Sequence, residues 1–339
     1  MKKIFLIGLT AAAMLASCSN DETVEMAQQK AISFSNAFVN NGTRSIVDPS
    51  FNKDNLTDFA VYGFTQKGQI FNGEKVSKGG AAWSYDNVQY WVPGNTYTFG
   101  AIAPHSAANV SDVKLPAGAT KVEMKVAFTN TDANQVDLLH AEPAQITGVT
   151  ASYTEPVSMT FNHQLSKVKF SFENAVGAGY NVKVSNVKIE DAYEKGTLTV
   201  AAAGNTWDNQ TNKNLELNFG NVVDNASGTN AAFIANTKTL ESYNEKLMIP
   251  MGNTAIYTVT FTAELFKDNV PLGTYNHTVE IKNVEFKLGY CYNFKASLTH
   301  KNITGPDELN EIKFNVTSVG NWNKEADKNL NVPTTHSGI

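Results

Sequence analysis

Arginine is nearly absent from this chain, since Arg44 is the single one among its 27 basic residues. Cysteine is almost as scarce, with only Cys18 and Cys291, so an apolar core and not a disulfide framework must hold the fold. The formal net charge of −5 excludes the basic surface that binds nucleic acid. Motifs for a nucleophilic serine, a zinc-binding helix, a phosphate loop and a dinucleotide are also missing, and we expect no cofactor.

The N-terminus begins with an export signal. Two lysines precede an apolar run, Ile4 to Leu15, that is too short to span a bilayer permanently. The run ends in Leu15-Ala16-Ser17-Cys18, which resembles the bacterial lipobox, where a signal peptidase cuts before the cysteine and the sulfur is acylated. We predict that residues 1–17 are removed and that Cys18 is lipidated. The alternative is an ordinary signal peptide with a chance cysteine.

Period-2 alternation of apolar and polar residues dominates the rest of the sequence and predicts half-buried strands. It recurs in Ile32–Phe34, Val122–Phe128, Val168–Phe172, Val182–Val184, Leu215–Phe219, Tyr257–Phe261 and Ile312–Val316. Turn-prone clusters separate these segments, and Leu240 to Lys246 is the best candidate for a short helix. Many short strands without interleaved helices predict an all-β fold of two antiparallel β-sandwich domains in tandem, residues 45–150 and 151–339.

Residue types that could carry catalysis are present but scattered. The six histidines lie at positions 105, 140, 163, 277, 300 and 336, a spacing that predicts no metal site. We interpret His163 as a hydrogen-bonded structural residue at the end of a strand. The carboxylates Asp137, Asp191 and Glu194 could form an acid/base pair for glycoside hydrolysis only if the fold brought two of them together. We expect a protein that is not an enzyme, with a hydrolase as the minority alternative.

Aromatic residues are concentrated between residues 83 and 99. Trp83, Trp91 and their neighbours could build a flat platform on which a sugar ring stacks. Trp83 and Tyr85, however, are two residues apart, as are Tyr97 and Phe99, so each pair shares one face of a strand, which is how a β-sheet core is filled. We interpret these aromatics as core residues and keep the glycan platform as the alternative.

Several blocks of the sequence resemble a known family when they are taken together. The blocks are Trp83-x-Tyr85, Tyr90-Trp91-x-Pro93-Gly94, Tyr97-x-Phe99-x-Ala101-x-Ala103-Pro104, Asp137-Leu138-Leu139-His140-Ala141, Val157-x-Met159-x-Phe161-x-His163-Gln164-Leu165-Ser166-Lys167-Val168, and Ile312-x-Phe314-x-Val316 with Trp322. In this order they resemble the fimbrillin-like proteins of Bacteroidales, the subunits of type V pili. The resemblance implies two tandem transthyretin-like β-sandwich domains. His140 stands where the resemblance leads us to expect Tyr.

The resemblance also implies a route of assembly. Such precursors reach the outer membrane surface as lipoproteins, an arginine-specific protease removes the N-terminal segment, and the exposed groove accepts a strand from a neighbouring subunit. Arg44 occupies the place of the cleaved arginine, so the cut is expected between Arg44 and Ser45. Residues 18–44 are then a removable pro-segment. The implied partners are other copies or paralogous pilins, the protease, and the outer membrane through the lipid anchor.

The residues before the cleavage point favour this expectation independently. Ala31 to Val39 is predicted to be a strand with Ile32, Phe34 and Phe38 on one face, followed by the protease-accessible sequence Asn40–Thr43. Burial of such side chains is worth roughly 1.5 to 3 kcal/mol each. A subunit that loses the strand is therefore stabilised by accepting another.

The candidate donor strand lies within residues 310–333. There Ile312, Phe314 and Val316 alternate with polar residues as the removable strand does, and Trp322 follows. The alternative is a permanent edge strand of its own domain, because a mobile donor must be only weakly held before exchange.

The sequence leaves two other surface functions open. One is a pilus tip or surface lipoprotein that binds a glycan or a host protein through Trp83, Trp91 or loop aromatics. The other is an anchor that is never cut and stays lipidated at Cys18. The precursor is expected at the outer membrane surface, and the cleaved product in an extracellular pilus (fimbrium).

Overall fold

The computed structural model describes residues 30–39, 56–80, 82–107, 109–224, 227–251, 255–304 and 312–321. Within these ranges the chain consists of β-strands with one short helix, so the all-β prediction is confirmed. The first nine strands are β1 (Phe34–Val39), β2 (Asp58–Thr65), β3 (Gly68–Gly79), β4 (Ala82–Ser84), β5 (Tyr97–Ala103), β6 (Asn109–Lys114), β7 (Glu123–Thr129), β8 (Leu139–Ala141) and β9 (Val157–His163).

The C-terminal part of the chain contributes the remaining strands and the helix. They are β10 (Ser166–Asn174), β11 (Tyr180–Val200), β12 (Thr206–Gly220), β13 (Val222–Val223), β14 (Ile234–Ala235), β15 (Thr239–Ser242), β16 (Lys246–Met248), β17 (Tyr257–Lys267), β18 (Val270–Ile281), β19 (Tyr290–Leu298), α1 (His300–Thr304) and β20 (Phe314–Asn321). No helix in the described ranges is long and apolar enough to cross a membrane.

The first sheet contains seven strands in the order β1-β9-β8-β5-β2-β3-β4. Its buried face forms a core of large side chains that includes Phe59, Phe99 and Phe161. An isolated bridge pairs Ala31, just before β1, with Tyr90, just after β4. The N-terminal segment therefore lies between the two ends of this sheet.

The second and third sheets face each other across a second core. The second sheet has the order β13-β15-β10-β19-β20, with β16 also paired to β10. The third has the order β18-β17-β11-β7-β6, and β12 and β14 also pair with β11. Phe172 of the second sheet contacts Phe261 of the third, with ring centroids 5.0 Å apart. Both rings are buried, as period-2 alternation predicted for these strands.

Strand pairing crosses the predicted boundary at residue 150 in both directions. Strand β9, which follows that boundary, completes the first sheet, whereas β6 and β7, which precede it, join the third. A third core cluster spans the same junction, and there Tyr62 and Ile102 of the first sheet pack with Leu198 and Leu247. The two parts of the chain are thus joined by exchanged strands and by apolar contacts.

Among the strands that the structure describes, two pairs are parallel, which corrects the expectation of purely antiparallel sheets. Strand β1 runs parallel to β9, and β10 runs parallel to β19. In each pair the partners are separated by about 120 residues of sequence, and parallel neighbours need such long connections. The period of the side chains carries no information on strand direction, so the sequence could not show it.

The short helix predicted at Leu240–Lys246 is wrong. Leu240 belongs to β15 and Lys246 begins β16, and both strands pair with β10, so that Leu240 lies opposite Phe172 and Lys246 opposite Val168. Sheet pairing has overridden a weak local helix preference. The described helix, α1, lies at His300–Thr304 instead.

Candidate functional site: the N-terminal strand and its groove

The N-terminal segment is hydrogen-bonded on one side to the loop that follows β4. The amide of Ile32 donates to the Gln89 carbonyl at 2.7 Å, and the amide of Trp91 donates to the Lys30 carbonyl at 2.9 Å. The Tyr85 hydroxyl donates to the Ile32 carbonyl at 2.6 Å. Burial raises the pKa of this hydroxyl above its ordinary value, so the group keeps the proton that it donates.

On its other side the segment pairs with β9. The Val157 amide donates to the Ser33 carbonyl at 2.8 Å, and the parallel ladder continues along β1. A register shift between Ser35 and Phe38 interrupts the ladder, and the backbone of Phe38 then lies opposite Thr160. The shift adds one residue to β1, as in a β-bulge. The side chain of Phe38 lies outside the described part of the structure, so its place on the same face as Ile32 and Phe34 stays a prediction. We call the space that holds residues 30–35 the N-terminal groove.

Aromatic rings line the N-terminal groove and enclose Phe34. The centroid of the Phe34 ring lies 5.6 to 6.2 Å from four other rings, at interplanar angles of 64 to 87°. These rings belong to Phe59, Phe71, Tyr85 and Phe99. Such edge-to-face packing is the favoured arrangement of aromatic pairs. The prediction that Ile32 and Phe34 face the core is confirmed, because they are only 1% and 5% exposed.

The contacts of residues 30–35 contribute substantially to the stability of the fold. Ile32 and Phe34 together contribute roughly 3 to 6 kcal/mol of burial free energy, at about 1.5 to 3 kcal/mol for each side chain. A domain's entire net stability is about 5 to 15 kcal/mol. Without this segment, the backbone groups of Gln89, Trp91 and Val157 would also lose their partners. An empty N-terminal groove would thus expose apolar side chains and unpaired backbone groups.

Replacing Tyr85 with Phe tests the hydrogen bond to Ile32. We expect the Tyr85→Phe variant to lose about 1 to 3 kcal/mol in free energy of unfolding, because the Ile32 carbonyl keeps its burial and loses its donor. Urea denaturation measures the loss, and faster hydrogen exchange at the Ile32 amide locates it. Tyr90→Phe is the matched control, since Tyr90 is 47% exposed. Equal effects of the two changes would contradict the assignment.

The candidate donor strand lies at the edge of the second sheet. Strand β20 pairs antiparallel with β19, and its Phe314 lies opposite Ala296. Ile312 is 3% exposed, and the Phe314 ring packs edge-on against Phe170 and Phe172 at centroid distances of 5.2 and 5.7 Å. Val316 is half-buried at the margin of the same core. The strand is therefore an edge strand of its own sheet in this state, while its mobility stays a prediction.

Four residues of the predicted route lie outside the described ranges. They are Cys18, Arg44, Ser45 and Trp322. Lipidation and cleavage at these positions stay predictions from the sequence.

The tryptophans that could have formed a sugar platform belong to the core of the first sheet. Trp91 is 2% exposed and packs edge-on against Tyr97 and Tyr153, with centroids 4.7 and 4.9 Å apart. Trp83 is half-buried and packs against Phe59 at 5.1 Å. The interpretation of these aromatics as core residues is confirmed.

The polar residues that the sequence singled out hold structural contacts. The Nδ1 atom of His163 lies 2.6 Å from a carboxylate oxygen of Asp137, and both side chains are almost fully buried. Asp191 accepts hydrogen bonds from the Lys213 ammonium at 2.6 Å and from the Thr258 amide at 2.7 Å. Glu194 accepts one from the Asn212 amide group at 3.1 Å. Within the described ranges, no group of three or more His, Cys, Asp or Glu residues could hold a metal.

His140 is buried in a neutral form. Desolvation, with a smaller contribution from the charge of Lys121, lowers its pKa to about 4. Its Nδ1 atom faces the amide nitrogen of Asn205 at 3.2 Å, which in turn donates to the Gln164 side chain at 2.8 Å. The ring thus joins β8 to the residues before β12 in the neutral state.

Lowering the pH should destabilise the folded chain, because His140 is buried in its neutral form. The unfolded chain protonates this imidazole near pH 6.5, whereas the folded chain resists protonation until about pH 4. Stability should therefore fall as the pH drops through this window, by on the order of 3 kcal/mol for this residue. Urea denaturation at several pH values measures the slope, and His140→Phe should flatten it. A variant with an unchanged slope would contradict the assignment.

Comparisons with known proteins agree with this architecture. A sequence profile described as fimbrillin-like matches residues 43–322. Among solved structures, the chain is similar to a fimbrial protein from Bacteroides vulgatus ATCC 8482, at 15% identity and a TM-score of 0.62, over 86% of this chain and 99% of that one. It is also similar to a candidate cell adhesion protein from Bacteroides ovatus ATCC 8483, at 16% identity and a TM-score of 0.50, over 87% and 98% of the two chains. Among curated protein sequences no match was found.

At these low identities the structural similarities show the fold alone, which this chain shares with a fimbrial protein. The profile covers most of the length of the chain, and the chain belongs to the fimbrillin-like family. This confirms the resemblance seen in the sequence blocks. The family consists of fimbrial structural and adhesion proteins, which are found in pili at the cell surface.

Proposed function

We propose that this chain is a structural subunit of a type V pilus, exported as a lipoprotein through Cys18, cut after Arg44 and polymerised by strand exchange. The main support for the proposal is the position of residues 30–35 in the N-terminal groove. They fill an aromatic groove and have backbone partners on both sides, and the single arginine of the chain follows nine positions after Ser35. A cut there separates a core strand from the body that it completes.

The proposed role assigns the parts of the chain as follows. Residues 18–44 are the pro-segment, the first sheet with its core is the N-terminal unit, and the facing second and third sheets are the C-terminal unit. We propose that both units are β-sandwiches of transthyretin-like type. The role is structural and not catalytic, because the carboxylates that could have formed an acid/base pair are held by His163, Lys213 and Asn212.

Digestion with an arginine-specific protease tests the proposal. The purified precursor should be cut once, give a mature chain that begins Ser45-Ile46-Val47, and then form oligomers that size-exclusion chromatography and electron microscopy detect. A variant lacking residues 312–339 should be cut equally well and stay monomeric. Cleavage that is never followed by assembly would count against a stalk subunit, and assembly of the uncut chain would favour an anchor.

A cleft with amide side chains in its lining favours a second candidate function, that of a tip subunit that binds a neutral glycan. The cleft has a volume of about 700 Å³ and lies between the first sheet, on the side that carries Phe64, and the connection from β6 to β7. Its lining offers the amides of Gln66, Gln69 and Gln145 beside the Phe64 ring. Gln145 donates to the Thr98 hydroxyl at 2.9 Å. Amide groups both donate and accept, as sugar hydroxyls require.

Titration with neutral oligosaccharides tests the second candidate. Calorimetry with lacto-N-tetraose or maltotetraose should show binding that the Gln145→Leu variant weakens. The absence of binding by either sugar would remove the glycan function and leave the stalk function untouched.

A further inference from the structure

Strands β10 and β19 form the longer of the two parallel pairs in the described part of the chain. Eight successive residue pairs join them without a register shift, from Lys167 opposite Cys291 to Asn174 opposite Leu298. The amide of Ala175 extends this β10–β19 ladder by donating to the Leu298 carbonyl at 2.8 Å. Hydrogen bonds in a parallel ladder are evenly spaced, so a force along the strands is shared among all of them.

The two strands lie where tension would enter and leave the C-terminal unit. Strand β10 begins at Ser166, two residues after the end of β9 of the first sheet at His163. Strand β19 ends at Leu298, and α1 and β20 follow it. Among the described strands, β19 pairs with β10 on one side and with β20 on the other, and β20 pairs with β19 alone. Tension between the first sheet and Leu298 therefore crosses the β10–β19 ladder.

The parallel direction decides how this tension acts on the ladder. The tension draws β10 toward its first residue and β19 toward its last residue, and these residues lie at opposite ends of the ladder. The two strands must then slide past each other with every pair loaded. Strand β20 differs, because its last residue, Asn321, lies opposite Tyr290 and so beside the start of β10. A pull on the chain after Asn321 opens β20 from one end, one pair at a time.

Two side-chain contacts cross the β10–β19 ladder. The Ser171 hydroxyl donates to the side-chain oxygen of Asn293 at 3.1 Å, and the Lys295 ammonium lies 2.7 Å from a carboxylate oxygen of Glu173. Both contacts are diagonal, because Asn293 lies opposite Lys169 and Lys295 lies opposite Ser171. Sliding of β19 toward its last residue brings each of these partners closer to the directly opposite position. The two contacts therefore persist while the backbone hydrogen bonds stretch.

We propose that the β10–β19 ladder is a mechanical clamp, which keeps the C-terminal unit folded when the molecule is pulled between its first sheet and its C-terminal end. The source of the tension is the fibre, so this inference rests on the proposed function and adds a load-bearing role to it. The resistance comes from the direction in which the pair is loaded and not from a higher free energy of unfolding. Under the same pull, β20 separates first and the body stays folded.

Single-molecule force spectroscopy with two attachment geometries tests the clamp. The protein is the chain from residue 19 onward with Cys291→Ser, and each attachment point is a new cysteine at an exposed position. Ser158→Cys with Lys301→Cys loads the ladder lengthwise. Ser158→Cys with Lys287→Cys pulls the two strands apart from one end, because Lys287 precedes β19. The lengthwise rupture force should be higher by roughly threefold, since many pairs share the load instead of one.

Replacing Lys295 with Ala tests the contacts that cross the ladder. Lys295→Ala removes the partner of Glu173 and should lower the lengthwise rupture force, while the force for opening from one end stays the same. Lys282→Ala is the matched control, since Lys282 pairs with Glu280 of β18, outside the ladder, and it should change neither force. Urea denaturation should give similar free energies of unfolding for both variants, because half-exposed ion pairs contribute little to stability.

The possible outcomes separate the clamp from the function on which it rests. Equal rupture forces in the two geometries, or a first release of β9 from the first sheet under the lengthwise pull, would overturn the clamp. Equal losses of lengthwise force in Lys295→Ala and Lys282→Ala would overturn the role of the crossing contacts. Neither measurement involves cleavage or assembly. A cut chain that assembles but shows equal forces removes the clamp alone, whereas a high lengthwise force in a cut chain that never assembles removes the pilus function alone.

Discussion

The Arg44→Lys variant should fold as the parent does and should not be processed by an arginine-specific protease. The charge is kept, so the physical change is confined to the guanidinium group that such a protease recognises. Because the chain has no other arginine, no second site can replace the lost one. Mass spectrometry of the chain recovered from the cell surface, or after digestion in vitro, should show residues 18–44 still attached. Assembly should then be abolished.

A rescue variant separates recognition of arginine from other effects of the change. Thr43→Arg combined with Arg44→Lys moves the arginine by one position and should restore cleavage, now between residues 43 and 44. Circular dichroism and the thermal midpoint of the three proteins should agree, which excludes misfolding as the cause. Processing of Arg44→Lys at the parental rate would overturn the assignment of the cleavage site.

Phe34→Ala should destabilise the precursor by about 3 to 5 kcal/mol, the usual cost of truncating a buried Phe. Its ring is 5% exposed and touches four other rings, so the vacated space cannot easily be refilled. Urea denaturation of the uncut chain measures the loss. After cleavage at Arg44, the same variant should release its N-terminal segment faster than the parent, which size-exclusion chromatography of the labelled segment detects.

Phe233→Ala is the matched control for this prediction. Phe233 is 41% exposed, so the same chemical change should cost far less there. If Phe34→Ala lowers the free energy of unfolding by no more than Phe233→Ala does, the N-terminal strand is not an integral part of the first core. The proposal of a strand-shaped groove would then lose its energetic basis.

Much of the fold could be predicted from the sequence, because the alternation of apolar and polar residues is a local pattern. Period-2 alternation identified the buried faces of β7, β10 and β17, and aromatic spacing assigned Tyr97 and Phe99 to the core. Pairing partners were not accessible, because a strand's pattern shows which face is buried but not which strand lies beside it. Hence the parallel pairs and the exchange of strands across residue 150 were missed.

The candidate site, too, could be predicted from the sequence only in part. Ile32 and Phe34 were predicted correctly, because an apolar alternation before a lone arginine is visible in one dimension. The rings around Phe34 come from β2, β3, β5 and the residue after β4, and only the folded sheet brings them together. The hydroxyl of Tyr85 gave no signal, because its acceptor is a backbone carbonyl that every residue carries. The bulge after Ser35 also has no distinctive sequence motif.

In the proposed route of assembly, the two-sided pairing of residues 30–33 would separate cleavage after Arg44 from the assembly that follows it. A nick after Arg44 breaks no hydrogen bond of this segment, so a nicked subunit keeps a closed surface until the whole segment departs. Departure must break bonds to the Gln89–Trp91 loop and to Val157 together, which sets a waiting time for each subunit. Subunits cut far from a growing fibre would therefore remain inert, and fibre growth would depend on how often a donor strand competes for the groove.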